Sequence, residues 1–396
     1  MRPLLLAPAL LLAAPLLAAC TESTAPSSDA AAGDDVVTVS STDDACEVSS
    51  TEVPSGKVTF EVTNDGSQVT EFYLLAGDGQ AIKGEVENVG PEATRQLVLA
   101  VPPGDYVTAC KPGMSGEGIR ADFTVTDSGA DLTPTGDDAE LVDQAVTQYQ
   151  AYVQDQSDQL LAGTKAFVKA YENGDDDQAR ALYPVARTHW ERIETVAESF
   201  GDLDPKMDAR EADLEAGQRW TGWHLMEKDL WPARADDYTA LTPKQRRVYG
   251  DDLLANTDDL VGRIAKLELT VDQIANGSRG LLEEVATGKV TGEEEYWSRT
   301  DLYDFQANVD GARVAFEGVR PLLERNDPDL ADQLDERFTA LQKLLDQHRD
   351  AAAPKVDGQS GFVGYDQLST SEVKQLADAV NALAEPLSRL TAAVLA

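Results

Sequence analysis

Two segments decide the helical reading of the chain: Arg187-Thr-His-Trp-Glu-Arg-Ile-Glu194 and Gly222-Trp-His-Leu-Met-Glu-Lys-Asp-Leu-Trp231. The stretch they bound holds two of the 3 histidines and four of the 5 tryptophans. Residues three apart share one face of a helix, so Glu191 can point with Glu194 and His224 with Glu227. Trp220, Trp223, Leu225, Met226, Leu230 and Trp231 make the second segment apolar on most faces, the mark of a buried helix. A buried histidine and glutamate need partners. Other polar side chains, water or a metal ion can supply them. If the two helices face each other, one nitrogen and three carboxylates converge, a donor set suited to a metal. The charge-rich Glu191 segment equally fits a solvated helix face.

Working outward, helical periodicity continues on both sides. Leu141, Ala145, Tyr149, Tyr152, Leu160, Phe167 and Tyr171 form a stripe that ends at Asn173-Gly174. The next helix is expected from Asp175 through Glu191 and Glu194 to Gly201, kinked at Pro184. An acidic stretch, 202–217, leads to the His224 helix, which Trp231-Pro232 ends. Further helices are expected over 242–267, 271–287, 293–325, 327–349 and 369–396, the last opened by the capping sequence Ser369-Thr-Ser-Glu372. Residues 140–396 thus read as an all-α bundle.

Residues 36–126 read differently. Val36-Val-Thr-Val-Ser, Lys57-Val-Thr-Phe-Glu-Val-Thr, Thr70-Glu-Phe-Tyr-Leu-Leu, Gln96-Leu-Val-Leu-Ala-Val, Tyr106-Val-Thr-Ala-Cys and Ala121-Asp-Phe-Thr-Val-Thr are short strands between turn signals such as Asn64-Asp-Gly66 and Pro102-Pro-Gly104. That pattern makes a small all-β sandwich. The polar stretch 127–139 is the expected linker.

The totals bound the partners. With 396 residues and 42% apolar content, the chain can build two cores. A formal charge of −38 excludes nucleic acid, whose phosphates it would repel, and favours cations, although it also serves solubility. Met1-Arg2, the apolar run from Leu4 to Leu17 and Leu17-Ala-Ala-Cys20 read as a secretory signal over 1–20, too short for a membrane span. Its ending resembles the bacterial lipobox, which implies a lipidated Cys20 anchored to the outer face of the cell membrane. The polar 21–35 then serves as a tether. Cys46 and Cys110 remain; in an exported protein a disulfide is favoured, with a thiolate metal site as the alternative.

The order of the strands resembles the cupredoxin fold. Pro103-Gly-Asp-Tyr-Val-Thr-Ala-Cys110 followed by Met114 is similar to the strand and loop that carry blue-copper ligands. A blue-copper centre also needs two histidines, and 36–126 contains none. In the helical part, Ala186-Arg-Thr-His-Trp-Glu-Arg-Ile-Glu-Thr-Val-Ala-Glu-Ser-Phe-Gly-Asp202 and Gly222–Trp231 resemble the two signatures of the imelysin-like domain of the EfeO family, an extracytoplasmic component of the bacterial Efe iron-uptake system. Val69-Thr-Glu-Phe-Tyr and Gly84-Glu-Val-Glu-Asn-Val-Gly-Pro91 resemble that family's cupredoxin-like domain. The likeness runs from 36 to the end, in the family's order of domains.

The resemblance implies a helical-domain metal site of His224, Glu227, Glu191 and Glu194. Asp208 takes the place of a further acidic ligand, in a stretch that also offers Asp204 and Glu211. In the β domain it implies Glu71, with Asp78, Glu85 and Glu87 as an acidic cluster, and it matches Cys46 and Cys110 to the family's cysteine pair. The expected cargo is iron, ferric or ferrous, with zinc or copper as alternatives. The implied partners are a ferric permease and a haem peroxidase of the Efe type. Because imelysins were named for peptidases, a zinc metallopeptidase is the competing class; such enzymes generally present His-Glu-x-x-His, which His189, His224 and His348 do not form. A metal-dependent binder of acidic polysaccharide is the third reading, against which the acidic surface argues.

Overall fold

Alternation of apolar and polar residues builds the N-terminal part, since successive side chains of a strand face opposite sides. The computed structural model describes residues 35–114, 116–129, 136–214 and 217–396. The expected signal peptide, Cys20 with its expected lipid, all of the expected tether but its last residue, and 130–135 of the linker lie outside the described residues. The strands are β1 (Asp35–Ser41), β2 (Cys46–Val48), β3 (Glu52–Pro54), β4 (Gly56–Asn64), β5 (Thr70–Ala76), β6 (Ile82–Val89), β7 (Thr94–Val101), β8 (Gly104–Cys110) and β9 (Ile119–Thr126). They form two sheets, ordered β2-β1-β4-β7 and β3-β9-β8-β5-β6. Val58, Phe60 and Val62 of β4 meet Phe72, Leu74 and Phe123 of the facing sheet in a dry core. A disulfide between Cys46 and Cys110 (S–S 2.04 Å) ties β2 in one sheet to β8 in the other.

Strand β6 is absent from the sequence reading. Its pairing with β5 shifts register twice, near Thr70/Phe72 and Leu74/Leu75, and this interrupts the period-2 pattern. It is nonetheless the strand that carries Glu85 and Glu87.

The C-terminal part is helical: α1 (Asp137–Asn173), α2 (Asp176–Glu191), α3 (Glu194–Glu198), α4 (Asp204–Met207), α5 (Trp223–Leu230), α6 (Pro243–Ile264), α7 (Val271–Thr287), α8 (Asp301–Asn326), α9 (Pro328–Leu345), α10 (Thr370–Leu387) and α11 (Leu390–Val394). A short β pairing of Arg349–Asp350 with Gly361–Phe362 interrupts it. Ser369 caps α10 as its sequence predicts, with reciprocal bonds to Glu372 of 3.3 and 2.8 Å. Among the described residues no helix is long and apolar enough to cross a membrane.

Two expected helices differ in ways that matter for the site. The helix through Glu191 and Glu194 is broken: α2 ends at Glu191 and α3 begins at Glu194, with Ile193 outside helical geometry (φ −128°, ψ 17°). Pro184 sits inside α2, and the break falls after it. The helix expected over 293–325 begins only at Asp301, so Glu294 and Glu295 lie on the turn before it.

α7 docks the two parts together. Asp272 accepts from the Ala100 amide (3.1 Å), Asn276 Nδ2 donates to Val98 O (2.9 Å) and Arg279 Nη1 donates to Gln96 O (2.7 Å). These bonds satisfy backbone groups of β7, and Ile82 N adds a fourth contact by donating to Ser199 O (3.0 Å).

Candidate metal centre

His224 sits at the centre of an acidic cage, and Gly222 is what brings it there. Gly222 opens α5 at φ 90°, and a Cβ at that position would stand 2.1 Å from the Met207 carbonyl oxygen. Only glycine lets α5 start this close to the end of α4. The approach places His224 Nε2 3.3 Å from Asp208 Oδ1. One turn on, Glu227 Oε2 lies 3.3 Å from His224 Nδ1. The other Glu227 oxygen accepts the amides of Trp297 (2.8 Å) and Ser298 (2.6 Å), which fix the carboxylate and tie α5 to the turn before α8. That turn supplies Glu294, whose Oε1 is 3.4 Å from His224 Nε2, and Glu295, which accepts from Ser298 Oγ (2.7 Å) and Tyr183 Oη (3.1 Å).

Glu191 and Glu194 enter from the α2/α3 break. Asn308 of α8 holds them, donating to the Glu191 carbonyl (2.8 Å) and to Glu194 Oε2 (2.8 Å). Ligand atoms fall within 4.8 Å of one another in three overlapping groups: Asp208, His224 and Glu294; His224, Glu227 and Glu295; and Glu191, Glu194 and Asp208. All seven residues are buried. The five residues expected from the sequence are therefore brought together, and Glu294 and Glu295 join them.

Two protein cations offset part of this charge. Arg187 is fully buried and pairs with Asp208 and Glu191, with Glu295 (2.7 Å) and with Glu294 (3.5 Å). Lys289 bonds both oxygens of Glu194 at 2.9 and 3.1 Å. Buried carboxylates without such partners would each cost several kcal/mol. Burial works against charging Lys289, yet Glu191, Glu194 and Glu294 hold its ammonium well above the ordinary range. Burial and the Arg187 charge oppose protonation of His224, but Asp208, Glu227 and Glu294 outweigh them and raise it well above its usual value. Burial and the neighbouring Glu227 push Glu295 up to about 7.

The donor set fits a metal ion. His224 Nε2 has no aligned hydrogen-bond partner although it is buried between two carboxylates. One imidazole with several carboxylates suits iron, zinc or manganese.

The β-domain acids occupy another face. Glu71 and Tyr73 share one side of β5, and Glu85, paired with Tyr73, shares it with Glu87. Glu71 accepts from Tyr73 Oη (2.7 Å) and lies 3.8 Å from Lys111 Nζ. Burial, Glu71 and Glu284 raise Glu85 to about 8, and burial and Glu284 of α7 raise Glu87. Asp78 is exposed and caps its own turn, accepting from the amides of Gln80 (2.9 Å) and Ala81 (3.2 Å); those bonds hold its carboxyl below the usual range. A cleft of about 910 Å³ runs between the two parts, lined by Tyr73 and Lys111 on one side and by Glu194, Asp208, Glu284 and Glu294 on the other. The helical centre thus opens onto the face of the β domain.

Sequence reasoning missed Glu294, Glu295, Arg187, Lys289 and Asn308 as members. A signal existed in Asp301, Asp304 and Asn308, polar at helical spacing within the apolar α8 and all buried.

The imelysin family model matches residues 145–390, and the cupredoxin-like domain model matches 9–125. The chain is 43% identical over 251 residues to an Efem/EfeO family lipoprotein of Staphylococcus aureus (strain MRSA252), covering 62% of this chain and 84% of that relative. It is 36% identical over 357 residues to the iron uptake system component EfeO of Yersinia pestis, covering 89% of this chain and 90% of that relative. A helical part bearing the buried His224 cage, set behind a histidine-free sandwich and aligned with such relatives through both parts, places this chain in the EfeO family.

Proposed function

We propose that this protein captures iron outside the cytoplasm and hands it to a membrane permease. The observation that carries the reading is His224 held within 3.4 Å of Asp208, Glu227 and Glu294, with Asp208 and Glu294 lining the cleft. The relative named as an iron uptake system component supports iron as the cargo. Carboxylates hold a hard cation firmly, yet protons or a competing site can take it back, which suits transfer. Zinc or copper are the competing ions. Glu71, Glu85 and Glu87 form a second acidic group on the β domain beside Tyr73, which lines the cleft; Asp78 lines the cleft itself but is committed to its own turn.

In this reading residues 36–126 and 140–396 are the two working domains, joined by 127–139. A lipid on Cys20 and the tether 21–35 hold them at the outer face of the membrane. A ferric permease and a haem peroxidase of the Efe type are the partners. Binding is favoured over peptide hydrolysis because Glu227 spends one oxygen on two backbone amides and the other on His224. No second histidine follows one turn later to complete a zinc-peptidase helix.

Titration calorimetry of the mature protein with ferric iron, ferrous iron and zinc tests the reading. Binding is expected, and His224→Ala with Glu227→Ala should weaken it by more than about 100-fold, as loss of two direct ligands exceeds a supporting-shell effect. Absence of heat with all three ions, or an unchanged affinity in the double variant, would reject it.

A further inference from the structure

Lys289 stands where an incoming cation would have to bind. Its Nζ lies 2.9 and 3.1 Å from the Glu194 oxygens, 3.4 Å from Glu191, 3.6 Å from Glu284 and 4.0 Å from Glu294. Glu191 and Glu194 belong to one of the three ligand groups and Glu294 to another. Three of the four acids around it, Glu194, Glu284 and Glu294, also line the cleft. An ion arriving from the cleft therefore meets carboxylate oxygens already committed to an ammonium.

Arg187 is placed differently. It projects from the C-terminal part of α2 and spreads its guanidinium over Asp208, Glu191, Glu294 and Glu295. A planar fork engaged on several sides is a fixed charge, whereas a lysine is a point charge on a flexible stem. The backbone under Lys289 is pinned. Tyr365 Oη donates to the Val290 carbonyl, and Thr291 Oγ1 donates to Gly288 O (2.8 Å). Gly292 follows at φ 74°, where a Cβ would press within 2.5 Å of Tyr365. Movement is thus confined to the side chain, and Glu284 is its landing point. That residue lines the cleft, is already 3.6 Å away and belongs to none of the three ligand groups.

We propose that Lys289 is a tethered competitor for the cargo cation. Loading displaces its ammonium from Glu191 and Glu194 toward Glu284, and its return expels the ion at hand-over. The inference rests on the cation-binding reading above and adds a release device to it. A built-in competitor lowers the apparent affinity by the fraction of time it occupies the carboxylates. It also spares the protein a buried, unbalanced cluster of acids once the cargo has left.

The first test uses the unaltered full chain. A water-soluble amine-acylating ester is applied with and without ferrous iron, added anaerobically, and with and without zinc, and the Lys289 peptide is quantified by mass spectrometry. Lys289 is 1% exposed and should react slowly, whereas the exposed Lys374 sets the reference rate. Loading should raise Lys289 labelling at least fivefold relative to Lys374; an unchanged ratio in protein that has bound the ion overturns the proposal. The second test compares variants by calorimetry and stopped flow. Lys289→Met should bind the same ions roughly tenfold or more tightly and release them more slowly, while Lys289→Arg keeps the weaker binding. Equal or weaker binding by a folded Lys289→Met also overturns it. Should that variant not fold, labelling of the unaltered chain decides alone. A protein that binds neither of these ions, nor ferric iron by calorimetry, rejects the cation-binding reading itself, an outcome distinct from binding without change at Lys289.

Discussion

His189 and His224 are both buried, and their surroundings drive their imidazoles in opposite directions. His224 lies among carboxylates and is raised. His189 bonds Gln156 Oε1 (2.9 Å), and burial together with the Arg192 charge lowers it from 6.5 to about 4. A depressed histidine stabilises the fold while neutral. Its contribution is complete above the unfolded value and is lost as pH falls from 6.5 toward 4, amounting to about 3 kcal/mol at most. The difference in urea-denaturation stability between the native chain and His189→Gln should therefore shrink between pH 7 and pH 4.5. A difference that does not change with pH would show that His189 does not titrate in this window. At this scale, much of the helical centre was legible: His224 and Glu227 lie one turn apart on a segment too apolar to be exposed. Glu294 and Glu295 were not, because a run of glutamates reads as solvated surface until a fold buries it.

The α2/α3 break sets the direction of two candidate ligands. A continuous helix through Glu191 and Glu194 satisfies the sequence spacing, but the structure turns the chain at Arg192 and Ile193 and packs it on α8. Gly311 makes that packing possible: a Cβ there would stand 2.3 Å from the Arg192 carbonyl oxygen. Gly311→Ala must push backbone against backbone. We expect a stability loss of about 1–3 kcal/mol in urea denaturation. Cation affinity should fall as well, because Asn308, one turn away, positions Glu191 and Glu194. Unchanged stability and affinity would mean that the break tolerates adjustment. α5 follows the same logic, with Gly222 permitting its approach to Asp208.

At the scale of the whole molecule, two different secondary structures share one cleft. α7 holds the β domain through bonds to three β7 backbone groups, and the disulfide locks the two sheets behind that interface. Cys46 and Cys110 are separated by 64 positions, so closing that loop removes conformational entropy worth about 4 kcal/mol from the unfolded chain. Cys46→Ala with Cys110→Ala should lower the denaturation midpoint of the β part, followed by near-ultraviolet circular dichroism. It should leave calorimetric binding at the His224 centre within about threefold, since the disulfide shares no partner with the groups of that centre. A large loss of binding would instead show that the sandwich supports the helical centre.

The sequence alone determined the two-part architecture, since periods of 2 and 3.6 are local properties that need no tertiary partner. It also marked His224, Glu227, Glu191, Glu194 and Asp208, through short spacing, an apolar context and family likeness. Only the tertiary structure decided what closes the cage. Glu294 and Glu295 come from a distant turn, and Arg187 and Lys289 become counter-charges only when burial removes water from the carboxylates around them. The same step separated the β-domain acids, turning Glu85 and Glu87 toward Glu284 while Asp78 stayed with its own turn. Long-range pairing and desolvation arise only when the chain is packed, so neither is written in spacing.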